Sequence, residues 1–409
     1  MHILYFHQHF STPKGATGTR SYEMAKELIS RGHRVTMICG SFEVGKTGLE
    51  GEPKNGIRSG NIDGIDVIEL HLPYSNRDNF IKRSMTFLKF AFKSIDIARV
   101  TDYDLLFATS TPLTAGIPGI AMKLWKREKP FVFEVRDLWP ELPREMGVIT
   151  NPFILYAMSV LEWLSYHAAD HCIGLSPGIV TGIQRRGIDP EKISMIPNGA
   201  DLELFQPMEE KGKVPLDGIE EDDFVAIFTG AHGIANGLDA VLNAAKYLKE
   251  KGEQSIKFIF IGEGKLKASL KERTEKEGLE SCLFFDAVPK LELAQLLTRA
   301  DVGLMILANI PAFYYGTSPN KFFDYISSGL PVLNNYPGWL ASLIKKHECG
   351  KVVEPDEPKA FAEALLEMSK STLIDKMKKN ARKLAEEHFD RKKLATQFVD
   401  LLENVFSKS

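Results

Sequence analysis

The sequence predicts an α/β protein built from two doubly wound parallel-sheet units in tandem, and three observations carry that expectation. The chain opens on a strand–loop–helix–strand pattern between residues 3 and 39. The same alternation restarts at Phe224 after a polar, acidic stretch. Its 409 residues exceed what one hydrophobic core usually serves.

In the first unit, Ile3-Leu-Tyr-Phe6 is a short apolar run of the kind a buried parallel strand requires. A loop rich in Thr, Gly and Pro follows. Tyr22, Ala25, Leu28 and Ile29 then recur at helical spacing, and Gly32 closes the helix. Val35–Cys39 is the next strand. Further strands are expected at 65–70, 104–108, 131–135 and 171–175, with helices at 80–98, 113–127 and 152–168.

The linker is placed at 208–222, where Pro207, Gly212, Pro215 and Gly218 interrupt a polar run, so the first domain is expected to span 1–207 and the second 208–390. In the second unit, strands are expected at 224–229, 257–261, 283–285, 302–306 and 331–333, and helices at 237–251, 265–277, 290–299 and 319–328. An amphipathic helix over 391–407 ends the chain. Two such Rossmann-like units would leave a cleft between them, with ligands at the carboxyl ends of the strands.

Composition excludes several classes. A hydrophobic share of 44% with 26% charged residues is that of a globular chain, not a disordered one. The net charge of −3 carries no basic excess, so nucleic acid is not an expected partner. Cys39, Cys172, Cys282 and Cys349 are far apart and form no metal-type pair, which fits a reducing compartment. The opening Met1-His-Ile-Leu-Tyr-Phe lacks a basic region and a long apolar core, and no run of about 18 uncharged apolar residues occurs. A cytoplasmic protein is expected, unless it lies on a membrane surface.

Several segments could carry chemistry. In Ser318-Pro319-Asn320-Lys321-Phe-Phe-Asp324, Ser318 suits an N-cap and Pro319 a first helical position. The free amides of that first turn favour an anion. Lys321 and Asp324 share a helix face; a diphosphate would meet Lys321, and Asp324 would accept from ribose hydroxyls. A capped surface helix with a local ion pair would use the same residues.

The loop Pro13-Lys-Gly15-Ala-Thr17-Gly18-Thr19-Arg20 also opens a helix. Gly15 and Gly18 allow close backbone approach, Thr17 or Thr19 could cap, and Arg20 could reach a phosphate; an ordinary turn accounts for it as well. Arg136 and Asp137 lie just beyond a strand's carboxyl end, as site residues or as a pair fixing a turn. Gly230-Ala-His232-Gly233 and Gly262-Glu263-Gly264 follow the second unit's first two strands, and would bring backbone amides to a ligand or merely turn the chain. His7 and His9 lack a third ligand, so no metal site and no metal cofactor are expected.

The last such segment is the helix from Phe80 to Lys93. Ile81, Met85, Leu88 and Phe92 share one face, Phe87 and Phe90 extend the apolar surface, and Lys82, Arg83, Lys89 and Lys93 add local positive charge. Such a helix can lie in a membrane interface. It could also be a packed helix whose lysines snorkel.

Assembled, the pattern resembles the retaining glycosyltransferases of family 4, which have the GT-B fold. Ser21–Thr36, Ala169–Ser176, Ile196-Pro-Asn-Gly-Ala-Asp201 and Asp324-Tyr-Ile-Ser-Ser-Gly-Leu-Pro-Val332 stand in the order of that family's landmarks. His7–Pro13 and Val135-Arg-Asp-Leu-Trp-Pro-Glu141 resemble the bacterial O-antigen and capsule subgroup, including L-fucosamine-type transferases.

The resemblance implies a UDP-sugar donor, a polyprenyl-diphosphate-linked sugar acceptor at the inner membrane face, and no metal. It also implies a final helix that packs back on the first domain. A GT-B-fold UDP-sugar epimerase, or a non-enzymatic sugar-nucleotide-binding protein, is the alternative.

Four positions depart from the family pattern. Gly316 stands where a glutamate is usual, Asp324 replaces a second glutamate, and Ala231 and Asn236 stand near a usual Arg and Lys. Diphosphate neutralisation is therefore assigned to Lys321 and Arg20, with His232 as a further candidate. Lys321, Arg136 and Asp137 are the expected catalytic residues; Arg136 and Asp137 would sit near the sugar or acceptor.

Overall fold

A computed structural model of the chain describes residues 1–42, 45–75, 78–125, 128–207 and 217–409. Two compact units emerge. The first comprises Met1–Pro197, Gly316–Ser318 and Lys392–Ser409, and the second Asn198–Tyr315 and Pro319–Arg391.

The first unit contains β1 (His2–Phe6), α1 (Arg20–Ser30), β2 (Arg34–Phe42), β3 (Ile57–Ile62), β4 (Ile65–Tyr74), α2 (Phe80–Val100), β5 (Leu105–Thr109), α3 (Ile117–Trp125), β6 (Phe131–Val135), α4 (Glu141–Glu145), α5 (Pro152–Ala168), β7 (His171–Gly174), α6 (Pro177–Arg185) and β8 (Ile193–Met195). Its sheet runs β3-β4-β2-β1-β5-β6-β7-β8, parallel throughout except for β3 on β4. Alternate residues of β1 feed opposite layers. Ile3 and Tyr5 pack with Met24 and Leu28 of α1, whereas Leu4 and Phe6 pack with Phe90 of α2 and Tyr166 of α5.

The second unit holds β9 (Phe224–Thr229), α7 (Asp239–Glu250), β10 (Ile256–Ile261), α8 (Lys267–Glu277), β11 (Cys282–Phe285), α9 (Lys290–Leu297), β12 (Val302–Met305), α10 (Pro311–Gly316), α11 (Asn320–Ser327), β13 (Val332–Asn334), α12 (Trp339–His347), β14 (Gly350–Val352), α13 (Pro358–Lys370) and α14 (Ile374–His388). Its sheet is wholly parallel, in the order β11-β10-β9-β12-β13-β14. Each sheet reverses its winding once, at β1/β5 and at β9/β12, and ligands of such sheets bind where strand order reverses. The last helix, α15 (Arg391–Ser407), inserts Leu394, Phe398 and Leu402 into the first unit's core.

The units divide at Pro197/Asn198 rather than at the expected 207/208. Segment 198–207 is held inside the second unit: Ala200 N–H donates to Phe389 O at 2.6 Å, and Arg382 Nη1 donates to Phe205 O at 2.8 Å. Most of the expected linker, 208–216, lies outside the described residues. Edge strand β3, with its largely solvated face, and the short strands β8 and β14 give too little apolar periodicity to be read from sequence.

Candidate functional site

In the second unit, polar groups gather at the carboxyl end of β9. The loops after β9 and β10 lie against each other. His232 N–H donates to Glu263 O at 2.9 Å, and Leu266 N–H donates back to His232 O at 2.9 Å. A Cβ on Gly262 would stand 1.9 Å from Gly230 O, and one on Gly264 would stand 2.4 Å from His232 O. Glycine is thus required for the two backbones to approach.

His232 points into the layer beneath, edge-on to Phe260 and Phe284, and neither ring nitrogen has a partner among the described residues. Burial, with Lys267 and Lys321 nearby, lowers its pKa to about 4. Without an anion beside it the ring is therefore neutral near pH 7, so His232 offers hydrogen-bonding nitrogens rather than a fixed positive charge. Glu263 is committed to Lys267, whose Nζ lies 2.7 Å from its Oε1 and 2.6 Å from Asp286 Oδ1.

Helix α11 contributes the other half of the site. Tyr325 Oη accepts from Thr229 N–H at 2.9 Å and ties the helix to the end of β9. Pro319, not Ser318, occupies the cap position, so Ser318 lies one residue before the place expected for it. Asn320 opens the first turn. Lys321 reaches over the β9 loop, where its Nζ is 2.6 Å from Asn236 Oδ1 and 4.0 Å from the centre of the Phe228 ring. Burial lowers the Lys321 pKa to about 7. Among the described residues no carboxylate pairs with its ammonium, and a group of this kind gains most from an arriving anion.

Lys321 and Asp324 do not pair. Asp324 is buried, and its Oδ2 accepts from Lys290 Nζ at 2.6 Å, while Oδ1 has no partner among the described residues. Lys290 is itself buried and lies over the Phe205 ring. Sequence reasoning passes over Lys290. Its only local signal is a lysine opening an apolar helix directly after Pro289.

In the first unit, the ends of β1, β5 and β6 converge at the other switch point. Arg136 Nη1 donates to His7 Nε2 at 3.2 Å, and the Arg136 N–H donates to Ser110 Oγ at 2.9 Å. Burial, then Arg136, hold the His7 imidazole well below its ordinary pKa, so a neutral ring accepts that bond. Asp137 Oδ2 accepts from Thr111 Oγ1 at 3.1 Å, and burial raises its carboxyl. Gln8 is buried, and neither end of its amide has a partner among the described residues. The cluster thus presents unsatisfied polar groups of the sort that a hydroxyl-rich ligand satisfies.

Arg20 has a different job from the expected one. Its Nε and Nη2 donate to Glu134 Oε2 at 3.0 and 2.8 Å, Nη1 donates to Pro197 O and Nη2 also to Ile196 O, all in a buried setting. Thr109 Oγ1 completes the carboxylate's shell. Burial alone would raise Glu134, but Arg20 and Arg136 outweigh it and leave its pKa lowered. The guanidinium therefore ties α1, β6 and the start of the 196–201 segment together, and is not presented to a phosphate. Gly15 N–H donates to Thr12 O at 3.0 Å, within a turn. Gly18 precedes Thr19, which occupies the cap position of α1 without a side-chain bond.

Helix α2 also departs in part. Phe90 is fully buried and Phe87 is partly buried beside Tyr74 and His9, so neither extends the outer apolar surface. Ile81, Met85, Leu88 and Phe92 do face outward, together with Lys82, Lys89 and Lys93. Lys82 pairs with Asp78 at 2.6 Å, and Arg83 lies 5.7 Å from the Tyr74 ring centre.

Comparison with known proteins gives a consistent family. The model described as Glycosyltransferase Family 4 matches residues 17–204, and that described as Glycosyl transferases group 1 matches residues 215–384. The UDP-Gal:alpha-D-GlcNAc-diphosphoundecaprenol alpha-1,3-galactosyltransferase of Escherichia coli is 28% identical over 222 residues, covering 52% of this chain and 54% of that enzyme. The match thus spans about half of that relative's length. Among solved structures, the sucrose-phosphate synthase of Thermosynechococcus elongatus superposes with a TM-score of 0.77 at 16% identity, over 100% of both chains. Anabaena HepE in complex with UDP and glucose gives a TM-score of 0.69 at 17% identity, over 99% of this chain and 100% of that one. At such identities these two similarities establish the fold alone.

Proposed function

Because the chain belongs to glycosyltransferase family 4 and has the GT-B fold, we propose that it moves a sugar from a nucleotide diphosphate donor to an acceptor hydroxyl with retention at the anomeric carbon. The observation that carries this reading is Lys321, held at the end of β9 against Asn236 and the Phe228 ring, with a pKa lowered to about 7. Cleavage of the anomeric C–O bond leaves its electron pair on the diphosphate. A fixed ammonium and the first-turn amides of α11 stabilise that charge, usually the largest catalytic contribution. The acceptor oxygen bonds to the anomeric carbon on the face the diphosphate leaves, and its proton passes to a diphosphate oxygen. Charge is met by Lys321 and backbone amides, without a metal.

Asp324, through its unpartnered Oδ1, and the glycine loops at 230 and 262 hold the nucleotide. Arg136, Asp137, His7 and Gln8 hold hydroxyls of the sugar or acceptor as donors and acceptors, with none assigned as a general base. UDP is the favoured nucleotide, since the similar HepE is solved with UDP and glucose. A lipid-linked sugar is the favoured acceptor, since the Escherichia coli relative acts on a diphosphoundecaprenol-linked GlcNAc. That points to bacterial surface polysaccharide synthesis (O-antigen or capsule), on the cytoplasmic side of the membrane. No described helix is long and apolar enough to cross a membrane. Peripheral contact through α2, whose Lys82, Arg83, Lys89 and Lys93 suit anionic lipid, would bring the enzyme to such an acceptor.

The test is UDP release from UDP-sugars with and without polyprenyl-diphosphate-linked sugar. Acceptor-dependent release with a new lipid-linked product supports transfer. Acceptor-independent release of free sugar would replace it with an epimerase-type reaction, and binding without turnover would leave a ligand-binding protein.

A further inference from the structure

Apart from α2, the first unit exposes a second apolar helix face that no part of the transfer reaction uses. In α5, Phe153 is 83% exposed, Tyr156 73% and Trp163 45%, with Val160 and Leu164 alongside. Spacings of three and four residues put these side chains on one stripe. The helix opens firmly, since Asn151 Oδ1 accepts from the N–H groups of Phe153 and Ile154. Its one carboxylate, Glu162, is buried and ion-paired with Arg186. The outward stripe therefore carries no acid and no lysine or arginine. At its end His167 stacks on Trp163, and a surface in water rarely leaves several aromatic side chains on one stripe that lacks Asp, Glu, Lys and Arg.

Helix α3 packs against both α2 and α5. At its end Leu124 and Trp125 are exposed, and the Arg99 guanidinium of α2 lies 4.9 Å from the Trp125 ring centre. Helix α3 thus links the helix that carries the apolar stripe to α2, where Lys89 and Lys93 are exposed.

We infer that the outer face of α5 is a lipid-seating surface that inserts Phe153, Tyr156 and Trp163 into the interface of an anionic bilayer, beside the basic face of α2. Tyr and Trp suit that depth, with an apolar ring and a polar edge. The basic flank fits anionic headgroups, whereas a second copy of this chain paired through α2 would bring Lys89 and Lys93 against their own kind. Two weak signals, one electrostatic and one apolar, together give stable anchoring where either alone is marginal. The inference extends the membrane contact proposed for α2 but is measured apart from it, and from sugar transfer.

The experiment uses the full chain with phosphatidylglycerol/phosphatidylcholine vesicles. At high salt, which screens α2, wild-type protein should keep a residual bound fraction. The variant Phe153→Ser, Tyr156→Ser, Trp163→Ser should lose it, with partition reduced by about tenfold or more, given the transfer free energy of large apolar side chains. Lys89→Gln, Lys93→Gln should lose only the salt-sensitive part. In vesicles with bromine-labelled acyl chains, wild-type tryptophan fluorescence should be quenched, and Trp163→Phe should remove part of that quenching.

Equal vesicle binding by wild type and the triple Ser variant, or no quenching in wild type, would overturn the inference. So would a wild-type dimer in sedimentation velocity that becomes monomeric in the triple variant while vesicle binding is unchanged. UDP release with a water-soluble acceptor analogue should not change in the triple variant. Loss of vesicle binding with intact transfer thus separates this surface from the transfer reading.

Discussion

Lys290 Nζ lies 2.6 Å from Asp324 Oδ2, with the two side chains 10% and 4% exposed. The family-like acidic position on α11 is therefore the anion of a buried pair, and its remaining oxygen is the part left for a ligand.

Removing either partner should cost stability before it reports on function. Asp324→Ala leaves the Lys290 ammonium buried without its counter-charge, at a cost of about 3–5 kcal/mol in urea unfolding. The double variant Asp324→Leu, Lys290→Met should recover much of that loss. UDP calorimetry on the recovered double variant then isolates the ribose role, with an expected weakening of about 1.5–3 kcal/mol. Wild-type affinity there would remove Asp324 from the nucleotide site.

Lys321 predicts a specific pH dependence. Its folded pKa, about 7, lies below the ordinary lysine value of 10.5, so between those values the unfolded chain binds more protons. Stability contributed by this site should therefore rise with pH from about 7 to 10.5, and its penalty is complete below that window. Lys321→Met should flatten that part of the profile. A bound diphosphate raises the lysine's pKa, so UDP binding near pH 8 should take up a fraction of a proton. Calorimetry in buffers of different ionisation enthalpy measures it, and zero uptake would count against contact between Lys321 and the diphosphate.

Arg20→Met should behave as a core lesion. Glu134 would remain buried without its main counter-charge, and about 3–5 kcal/mol should be lost near neutral pH. The deficit should shrink as pH falls through the carboxylate range, because a protonated Glu134 needs no cation. A stable variant with impaired turnover alone would restore the phosphate role for Arg20.

On α2, changing Lys82, Arg83, Lys89 and Lys93 to Gln should abolish salt-sensitive binding to anionic vesicles. Each basic residue near such a surface is worth about 1 kcal/mol. Unchanged sedimentation of the folded variant would make α2 an ordinary solvated helix.

Chelation gives the last test. If Lys321 and backbone amides meet the leaving charge, sugar transfer should survive EDTA. Complete loss, restored by magnesium or manganese, would replace that mechanism with a metal-assisted one.

The sequence by itself determined the repeated α/β alternation and most central elements, because buried parallel strands must be continuous apolar runs and the helices between them must show one apolar stripe. Strand Phe131–Val135 and helix Pro152–Ala168 fall at the bounds their patterns predict. The order of motifs was equally legible, since it is a property of the chain. Only the tertiary structure decided where each charge is spent. Arg20 is consumed by Glu134, which is 114 positions away, and Asp324 by Lys290, which is 34 away. Lys321 is left against Asn236 and an aromatic face. Such partners are chosen by which strand ends meet at a switch point, and by burial, which forces an ionised group to find a counter-charge wherever the fold supplies one. Local spacing records neither, so the sequence could name the charged residues but not their partners.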